Sequence, residues 1–129
     1  MLRRIETEAA PKPLANYAQA ILVEPGARLL FVAGQVGADA AGIIANAAEE
    51  QHRLAWQNVL AILAAASMNH THIVNAHVYI TDRNHISLYR QVRDEVLKGH
   101  RAAATLLVVA GLADPRLVVE VSVIAAAPA

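Results

Sequence analysis

The chain has 129 residues, of which 56% are hydrophobic and 17% charged, and eleven basic and eleven acidic side chains give it a formal net charge of zero. This length and composition predict one folded domain and exclude a disordered chain. Because the charges balance, the chain has no excess of basic residues of the kind that nucleic-acid-binding surfaces show. The lack of cysteine excludes a thiol nucleophile, a thiolate zinc site and a disulfide framework. No stretch is typical of a signal peptide or a membrane helix, so we expect a cytoplasmic protein without membrane association.

The first part of the chain is predicted to be an arm followed by strands. Residues 1–15 form this arm, closed by Pro11 and Pro13, and residues 1–12 are assigned as the N-terminal arm of a single domain over 1–129. Apolar runs, β-branched residues and turn signals predict strands over the ranges 16–24, 28–33, 42–45, 73–81, 105–112 and 117–125.

Two amphipathic helices are predicted between these strands. Asn46 and Glu49 have the spacing of a capping box, and the helix that follows is expected to end near 67–69. Asp82 or Asn84 is expected to cap the second helix, and Gly99 to follow its end. The apolar stripes are Trp56, Val59, Leu60 and Leu63 in the first helix, and Ile86, Tyr89, Val92 and Val96 in the second. Two helices on one face of a mixed sheet make an α+β domain.

The last predicted strand is apolar on both of its faces. Leu117, Val119 and Val121 point to one side, whereas Val118 and Ile124 point to the other. Because the helices cover only one face of the sheet, the second apolar face requires a partner. The sequence therefore predicts a homo-oligomer.

Glu120 is the only charged residue between Leu117 and Ala129. A carboxylate in a buried strand has to be paired, hydrogen-bonded or protonated. It could act as a general acid or base, or position a water molecule in an interface cleft. The alternative is a structural ion pair or a strand edge exposed to water.

The other polar candidates give weaker signals. The spacing of His70, His72 and His77 matches no closed zinc site, and His52 is expected to be solvated on the first helix. The Gly34-Gln35-Val36-Gly37 segment is neither a dinucleotide fingerprint nor a phosphate loop, and it indicates only a close approach of the backbone. Candidate contacts for a carboxylate ligand, each of which could instead be structural or solvated, are Tyr17, Arg93 and Arg101.

Several of these segments together resemble the Rid family of reactive intermediate deaminases, also called YjgF-like proteins. The resemblance covers about residues 11–126, nearly the whole chain. The matching segments are Pro13 with Asn16-Tyr17-Ala18-Gln19-Ala20, Phe31-Val32-Ala33-Gly34-Gln35-Val36, Glu50-Gln51, Gln57-Asn58-Val59-Leu60-Ala61-Ile62-Leu63, Val78-Tyr79-Ile80-Thr81-Asp82, Leu106–Leu112 and Val119-Glu120-Val121.

The resemblance implies a chorismate-mutase-like α+β fold and a homotrimer whose sheets form a central barrel with the helices outside. It also implies three clefts between subunits that bind a small carboxylate or imine. Family members hydrolyse 2-imino acids, or their enamine tautomers, to 2-keto acids and ammonia without a metal or an organic cofactor. The expected partners are therefore two further copies of the chain and a small carboxylate or imine ligand, with no nucleic acid and no membrane.

Carried over residue by residue, the resemblance implies a catalytic role for Glu120, which would position the attacking water. Tyr17 matches a pocket tyrosine, and Gly34 matches a glycine whose backbone lines the pocket. The family's decisive arginine, in a Pro-Ala-Arg-Ser/Thr motif, aligns with Ala104, which is followed by Thr105 and Leu106 in the implied substrate-binding segment.

The alanine at position 104 removes the group that grips the substrate carboxylate in the family, and it leaves two alternative arginines. Arg101 lies three residues earlier, an odd offset that places it on the opposite face of a strand about 10 Å away. Arg93 lies on the second helix, where many relatives have a pocket asparagine.

Three functions remain open from the sequence. The first is hydrolysis of an imine or enamine with Glu120 positioning water. The second is a trimer that binds a small metabolite without turnover, which the alanine at position 104 favours. The third is a ribonuclease or translation inhibitor, a label that relatives have carried, and the neutral charge argues against it.

Overall fold

Six strands, two α-helices and two short 3₁₀ segments make up the regular structure of residues 2–129, the part of the chain that the computed structural model describes. A small antiparallel sheet joins β1 (Leu2–Ile5) to β2 (Ala20–Val23). The main sheet contains β3 (Arg28–Val36), β4 (Ile73–Ile80), β5 (Ala103–Val108) and β6 (Val119–Ala127) in the order β3-β6-β4-β5. β4 and β5 are parallel, and the other neighbours in this sheet are antiparallel.

The helices α1 (Ala48–Ala65) and α2 (Ile86–Val96) bury their apolar stripes against one face of the main sheet. α2 is the crossover between the parallel strands β4 and β5, as such a connection requires. Trp56 and Val59 of α1 and Val92 of α2 are fully buried in one core with Val119 and Val121 of β6. The predicted fold class, a mixed sheet with two helices on one face, is confirmed.

Five of the six predicted strands are present in the structure, with different boundaries. The arm contains a strand, β1, that the sequence did not predict. The short strand predicted at 42–45 is absent among the described residues, where a single bridge joins Ala38 to Ile44. Across residues 2–129, no helix is both long and apolar enough to cross a membrane.

The predicted capping box of α1 is wrong. The residue at the N-cap is Ala47, and its side chain accepts no hydrogen bond. The prediction that Asp82 or Asn84 caps the second helix is also wrong, because the N-cap of α2 is His85, whose side chain makes no capping hydrogen bond. Asp82 instead caps the short 3₁₀ segment that leads into α2, where its Oδ1 accepts a hydrogen bond from the Asn84 N–H at 2.9 Å. Gly99 has a φ of +77° just after α2, a conformation that favours glycine.

The face of the main sheet opposite the helices is not covered by any part of the described chain. Phe31, Tyr79, Leu107, Glu120 and Ile124 lie on this uncovered face. Phe31 is 70% exposed and Leu107 is 49% exposed. The alternation of buried and half-buried residues along β6 places its second apolar set here, as the sequence predicted.

Gln51, a buried side chain of α1, makes hydrogen bonds to the loop that follows β3 and to the loop that precedes β6. Its Nε2 donates to the Ala45 and Arg116 carbonyl oxygens at 2.9 and 2.8 Å, and its Oε1 accepts from the Val118 N–H at 2.9 Å. A Cβ at Gly37 would overlap the Gln51 side chain. The bonds to Arg116 and Val118 fix the backbone just before Glu120, and the bond to Ala45 fixes the loop after β3.

His52 is buried between α1 and α2, and the expectation that it is solvated is wrong. Its ring lies 6.0 Å from the Tyr89 ring and 6.2 Å from the His85 ring, centroid to centroid. Neither ring nitrogen finds a hydrogen-bond partner among residues 2–129. Burial, with a smaller contribution from His85, lowers the pKa of His52 to about 4.

The buried His52 predicts a loss of stability in mild acid. The unfolded chain binds a proton at this imidazole near its ordinary pKa of about 6.5, whereas the folded chain does so only near pH 4. The free energy of unfolding should therefore fall as the pH drops from about 6.5 to about 4, by up to about 3 kcal/mol from this residue. Urea denaturation of the wild type and of His52→Leu at pH 7.0 and 4.5 measures this difference, and parallel pH profiles for the two proteins would contradict it.

Candidate functional site

The segment before β2, helix α2 and strand β5 enclose a cavity of about 340 Å³, named here the α2–β5 cavity. This volume is at the lower end of the range for small-molecule sites, about 300–1,000 Å³. Predicted site residues from all three segments line it: Tyr17, Arg93, Ala104, Thr105 and Leu106. The chain therefore brings together residues that are up to 89 positions apart in the sequence.

Arg93 is the buried charged group of this cavity, with only 6% of its surface exposed, whereas the other arginine in the lining, Arg90, is exposed. Its Nε donates to Asp94 Oδ1 at 3.1 Å, and its Nη2 lies 3.0 Å from the same oxygen. Nη2 is thus an ion-pair neighbour of Asp94, but it is buried and donates no hydrogen bond to any residue in 2–129. The guanidinium carbon lies 5.5 Å from the centroid of the Tyr89 ring.

The other cavity residues are placed by the strand register and by a short turn. β4 and β5 align Ala76 with Ala104 and Val78 with Leu106, and all four side chains face the helix side of the sheet. Ala104 therefore contributes only a methyl group to the wall. The Tyr17 hydroxyl accepts a hydrogen bond from the Leu14 N–H at 3.4 Å, which ties the ring to the segment before β2.

Glu120 and Gly34 form a second group of predicted site residues, at the other end of the sheet. The β3–β6 pairing aligns Glu120 with Val36, and the β4–β6 pairing aligns it with Tyr79. Gly34 lies against the Glu120 carboxylate, where a Cβ would overlap Oε2 and lie 2.7 Å from Cδ. The inference of a close backbone approach in the Gly34–Gly37 segment is confirmed at both glycines.

These two groups do not meet within one chain. Glu120 is on the uncovered face, whereas Ala104 and Leu106 point to the helix side. β4 lies between β6 and β5, so the two groups are also separated by two strand spacings, about 10 Å. A site that uses both groups requires the Glu120 side of one copy to face the α2–β5 cavity of another.

Arg101 lies outside the α2–β5 cavity. Its Nη2 is 3.7 Å from Glu6 Oε1, and it lines a second cavity of about 370 Å³ with residues of the N-terminal segment such as Lys12 and Gln19. Gln19 Nε2 donates to the carbonyl oxygens of Thr7 and Pro11 at 3.1 and 2.9 Å, which holds this segment in place. The structure thus separates the two arginines that the sequence left as alternatives.

Six residues of the cavity were not predicted: Leu14, Ala15, Val78, Ile86, Tyr89 and Arg90. Tyr89 was assigned only to the apolar stripe of α2, although it lies one helical turn before Arg93 and shares its face. That spacing is a signal the sequence does contain. Within residues 2–129, no three His, Asp or Glu side chains are close enough together to hold a metal ion.

Comparisons with known proteins agree on one family. The family model described as Endoribonuclease L-PSP matches residues 7–127. A protein of Capra hircus named 2-iminobutanoate/2-iminopropanoate deaminase is 31% identical over 112 residues, which cover 85% of this chain and 80% of that protein.

Two solved structures show the same fold. YyfB of Yersinia pestis, described as a protein of unknown function in the conserved Rid family, superposes with a TM-score of 0.85 at 22% identity, covering 96% of this chain and 97% of that one. The crystal structure of E. coli TdcF with bound serine gives a TM-score of 0.72 at 29% identity, covering 95% of this chain and 97% of that one.

Proposed function

The chain belongs to the Endoribonuclease L-PSP family, that of the Rid or YjgF-like proteins, and from this premise we propose that it is a homotrimeric enzyme that hydrolyses a 2-imino acid or its enamine tautomer. The product pair is the 2-oxo acid and ammonia. The similarity to a protein named 2-iminobutanoate/2-iminopropanoate deaminase supports this reaction class. The similarity to TdcF, whose structure contains the small amino acid serine, supports a site for a small carboxylate.

The observation that carries the proposal is the division of the site residues between two regions of one chain. Glu120 with Gly34 lies on the uncovered face, and Tyr17 with Arg93 lines the α2–β5 cavity. The uncovered face is apolar and exposed in the single chain, so it is suited to pack against further copies. In a closed ring of three copies, each cleft would take one group from each of two neighbours.

In this arrangement Glu120 acts on water. The water oxygen bonds to the imine carbon while its proton passes to the carboxylate, and the electron pair of the C=N bond moves to nitrogen. Glu120 passes this proton to nitrogen, and nitrogen also receives the second proton of the water. The C–N bond then breaks with its electron pair leaving on ammonia, while the electron pair of the former O–H bond forms the carbonyl of the 2-oxo acid. Gly34 leaves the Glu120 carboxylate free of a neighbouring side chain, because any Cβ there would overlap it.

A coupled assay tests the reaction. An amino-acid oxidase generates 2-iminobutanoate in the presence of semicarbazide, which traps the imine that survives. The wild-type protein is expected to lower the trapped fraction in proportion to its concentration. An unchanged trapped fraction, with a folded trimer in the assay, would reject the hydrolase.

One specific observation favours a second function, a trimer that binds a small carboxylate without turnover. Ala104 gives the cavity a methyl group where the resemblance implies a guanidinium. This function predicts a rise in Tm with a small carboxylate, together with no loss of trapped imine. Ala104→Arg in the same assay separates the two functions. If this variant hydrolyses the imine and the wild type does not, the fold can support the reaction and the wild-type protein only binds the carboxylate.

Mixing two inactive variants tests whether the site is shared between subunits. Glu120→Gln removes the carboxylate, and Ala104→Trp fills the α2–β5 cavity. After joint refolding at equal amounts, random assembly leaves about a quarter of the shared sites with both contributions intact. We therefore expect about a quarter of the wild-type rate from the mixture and almost none from either variant refolded alone. If each site lay within one chain, every site would contain a defect and the mixture would stay inactive.

A further inference from the structure

The α2–β5 cavity has a single deeply placed charge among apolar walls. Arg93 is 6% exposed, whereas Arg90, on the same helix, is exposed to solvent. Most of the remaining wall comes from apolar side chains, namely Leu14, Val78, Ile86, Ala104 and Leu106. A cavity of this kind favours an anion at the guanidinium and an aliphatic group elsewhere.

The charge of Arg93 is only partly compensated by the protein. Its one carboxylate partner, Asp94, is 45% exposed at its side chain and also lies 3.5 Å from the Asn16 amide nitrogen. Nε is the only nitrogen of Arg93 with a hydrogen bond to Asp94, and the buried Nη2 has no acceptor within residues 2–129. A second carboxylate would therefore find unused donors on a nearly buried guanidinium.

Tyr89 and Asp94 hold this guanidinium from two sides. The Tyr89 ring, which is 2% exposed, lies 5.5 Å below the guanidinium carbon, and Asp94 binds the Nε edge. The Tyr89 hydroxyl is also buried without a hydrogen bond to any described residue. Because both contacts come from the same helix, Arg93 keeps its position without help from β5.

We propose that Arg93 is the carboxylate anchor of this site and does from α2 what the resemblance assigns to an arginine at position 104 on β5. The ligand class follows from the walls: an aliphatic 2-oxo or 2-imino monocarboxylate, with its carboxylate at Arg93 and its side chain against Leu14, Ile86 and Leu106. The identity of the ligand rests on the proposed function, whereas the position of the anchor rests on the cavity alone.

Isothermal titration with 2-oxobutanoate, and with the uncharged 2-oxobutanamide, tests the anchor on the assembled protein. The wild type is expected to bind 2-oxobutanoate at least about tenfold more tightly than the amide. Arg93→Met should weaken 2-oxobutanoate binding by about 10- to 100-fold and leave the amide unchanged. The matched control is Arg53→Met, which removes an arginine paired with Glu95 at 2.8 Å on the outer side of α1 and should change neither affinity.

Two further variants keep the test decisive if Arg93→Met folds poorly. Arg93→Lys keeps a charge beside Asp94 but loses the planar fork, so it should still weaken binding by about tenfold. Ala104→Arg in the Arg93→Met background places a guanidinium in the same cavity from β5 and should restore at least part of the affinity. Circular dichroism and the Tm report the folding of each variant.

The outcomes separate the anchor from the reaction. A wild type that does not bind 2-oxobutanoate, Arg93 variants with unchanged affinity, or a loss that appears with Arg101→Met instead would each overturn the anchor. Carboxylate binding that depends on Arg93 without any imine hydrolysis would leave the anchor in place and reject the hydrolase. Imine hydrolysis with an unchanged KM in Arg93→Met would support the hydrolase and reject Arg93 as the anchor.

Discussion

Glu120→Gln is expected to lower the rate of imine hydrolysis by about 100-fold or more, while the affinity for 2-oxobutanoate stays within about twofold of the wild type. The amide has almost the same size as the carboxylate but does not take a proton from the attacking water. The position is also not one where the fold depends on the charge, since Glu120 is half-buried on the uncovered face beside Gly34. Initial rates in the coupled assay give the first quantity, and isothermal titration gives the second.

Glu95→Gln is the matched control for this change. It makes the same substitution on the outer side of α2, where the Glu95 carboxylate pairs with Arg53 at 2.8 Å. The Arg53 guanidinium lowers the pKa of Glu95, so this control also removes a charge, yet its rate should equal that of the wild type. An unchanged rate in Glu120→Gln would reject the proposed role of Glu120 in positioning water.

The fold was predictable from the sequence wherever one periodicity extends over a whole element. The alternation along β6 and the helical stripes of α1 and α2 gave the correct element types, because each pattern depends on burial against a single core. β1 was missed because only its ends, Leu2 and Ile5, are apolar, and its pairing with β2 depends on contacts about 18 residues away. Pairing over that distance leaves little local signal.

His52 shows an error that the sequence could have prevented. Its position four residues before Trp56 continues the buried stripe of α1, and the structure places it there fully buried. The neighbouring Glu49 favoured a solvated side chain, but residues three apart on a helix differ enough in direction for one to face water and the other the core. Position on the helix outweighs polarity in this case.

The candidate site was predictable residue by residue but not as an arrangement. Sequence resemblance identified Tyr17, Ala104 and Glu120, and the structure places the first two together and the third on the other face of the sheet. The choice between Arg93 and Arg101 required the path of the chain after α2. There the left-handed residues Lys98 and Gly99 turn Arg101 toward Glu6 and away from the cavity.

Phe31→Asp is expected to convert the proposed homotrimer into monomers and to abolish imine hydrolysis. Phe31 is 70% exposed on the uncovered face, paired in register with Ile124 of β6, and this is the most exposed large side chain of that surface. A carboxylate at this position would be buried by a neighbouring copy, at a cost of several kcal/mol for each unpaired charge. Multi-angle light scattering should then give the 13.8 kDa mass of one chain in place of three times that value.

Ala61→Asp is the matched control, because it adds the same charge at an exposed position of α1, on the side of the molecule away from the uncovered face. It should stay trimeric and active. The secondary structure of Phe31→Asp should also persist, since the buried core between the helices and the sheet does not include Phe31. A monomer that folds but does not hydrolyse the imine would show that the two groups of site residues act only across a subunit boundary. A Phe31→Asp protein that remains a trimer would place the interface on another surface, and with it the neighbour that Glu120 requires.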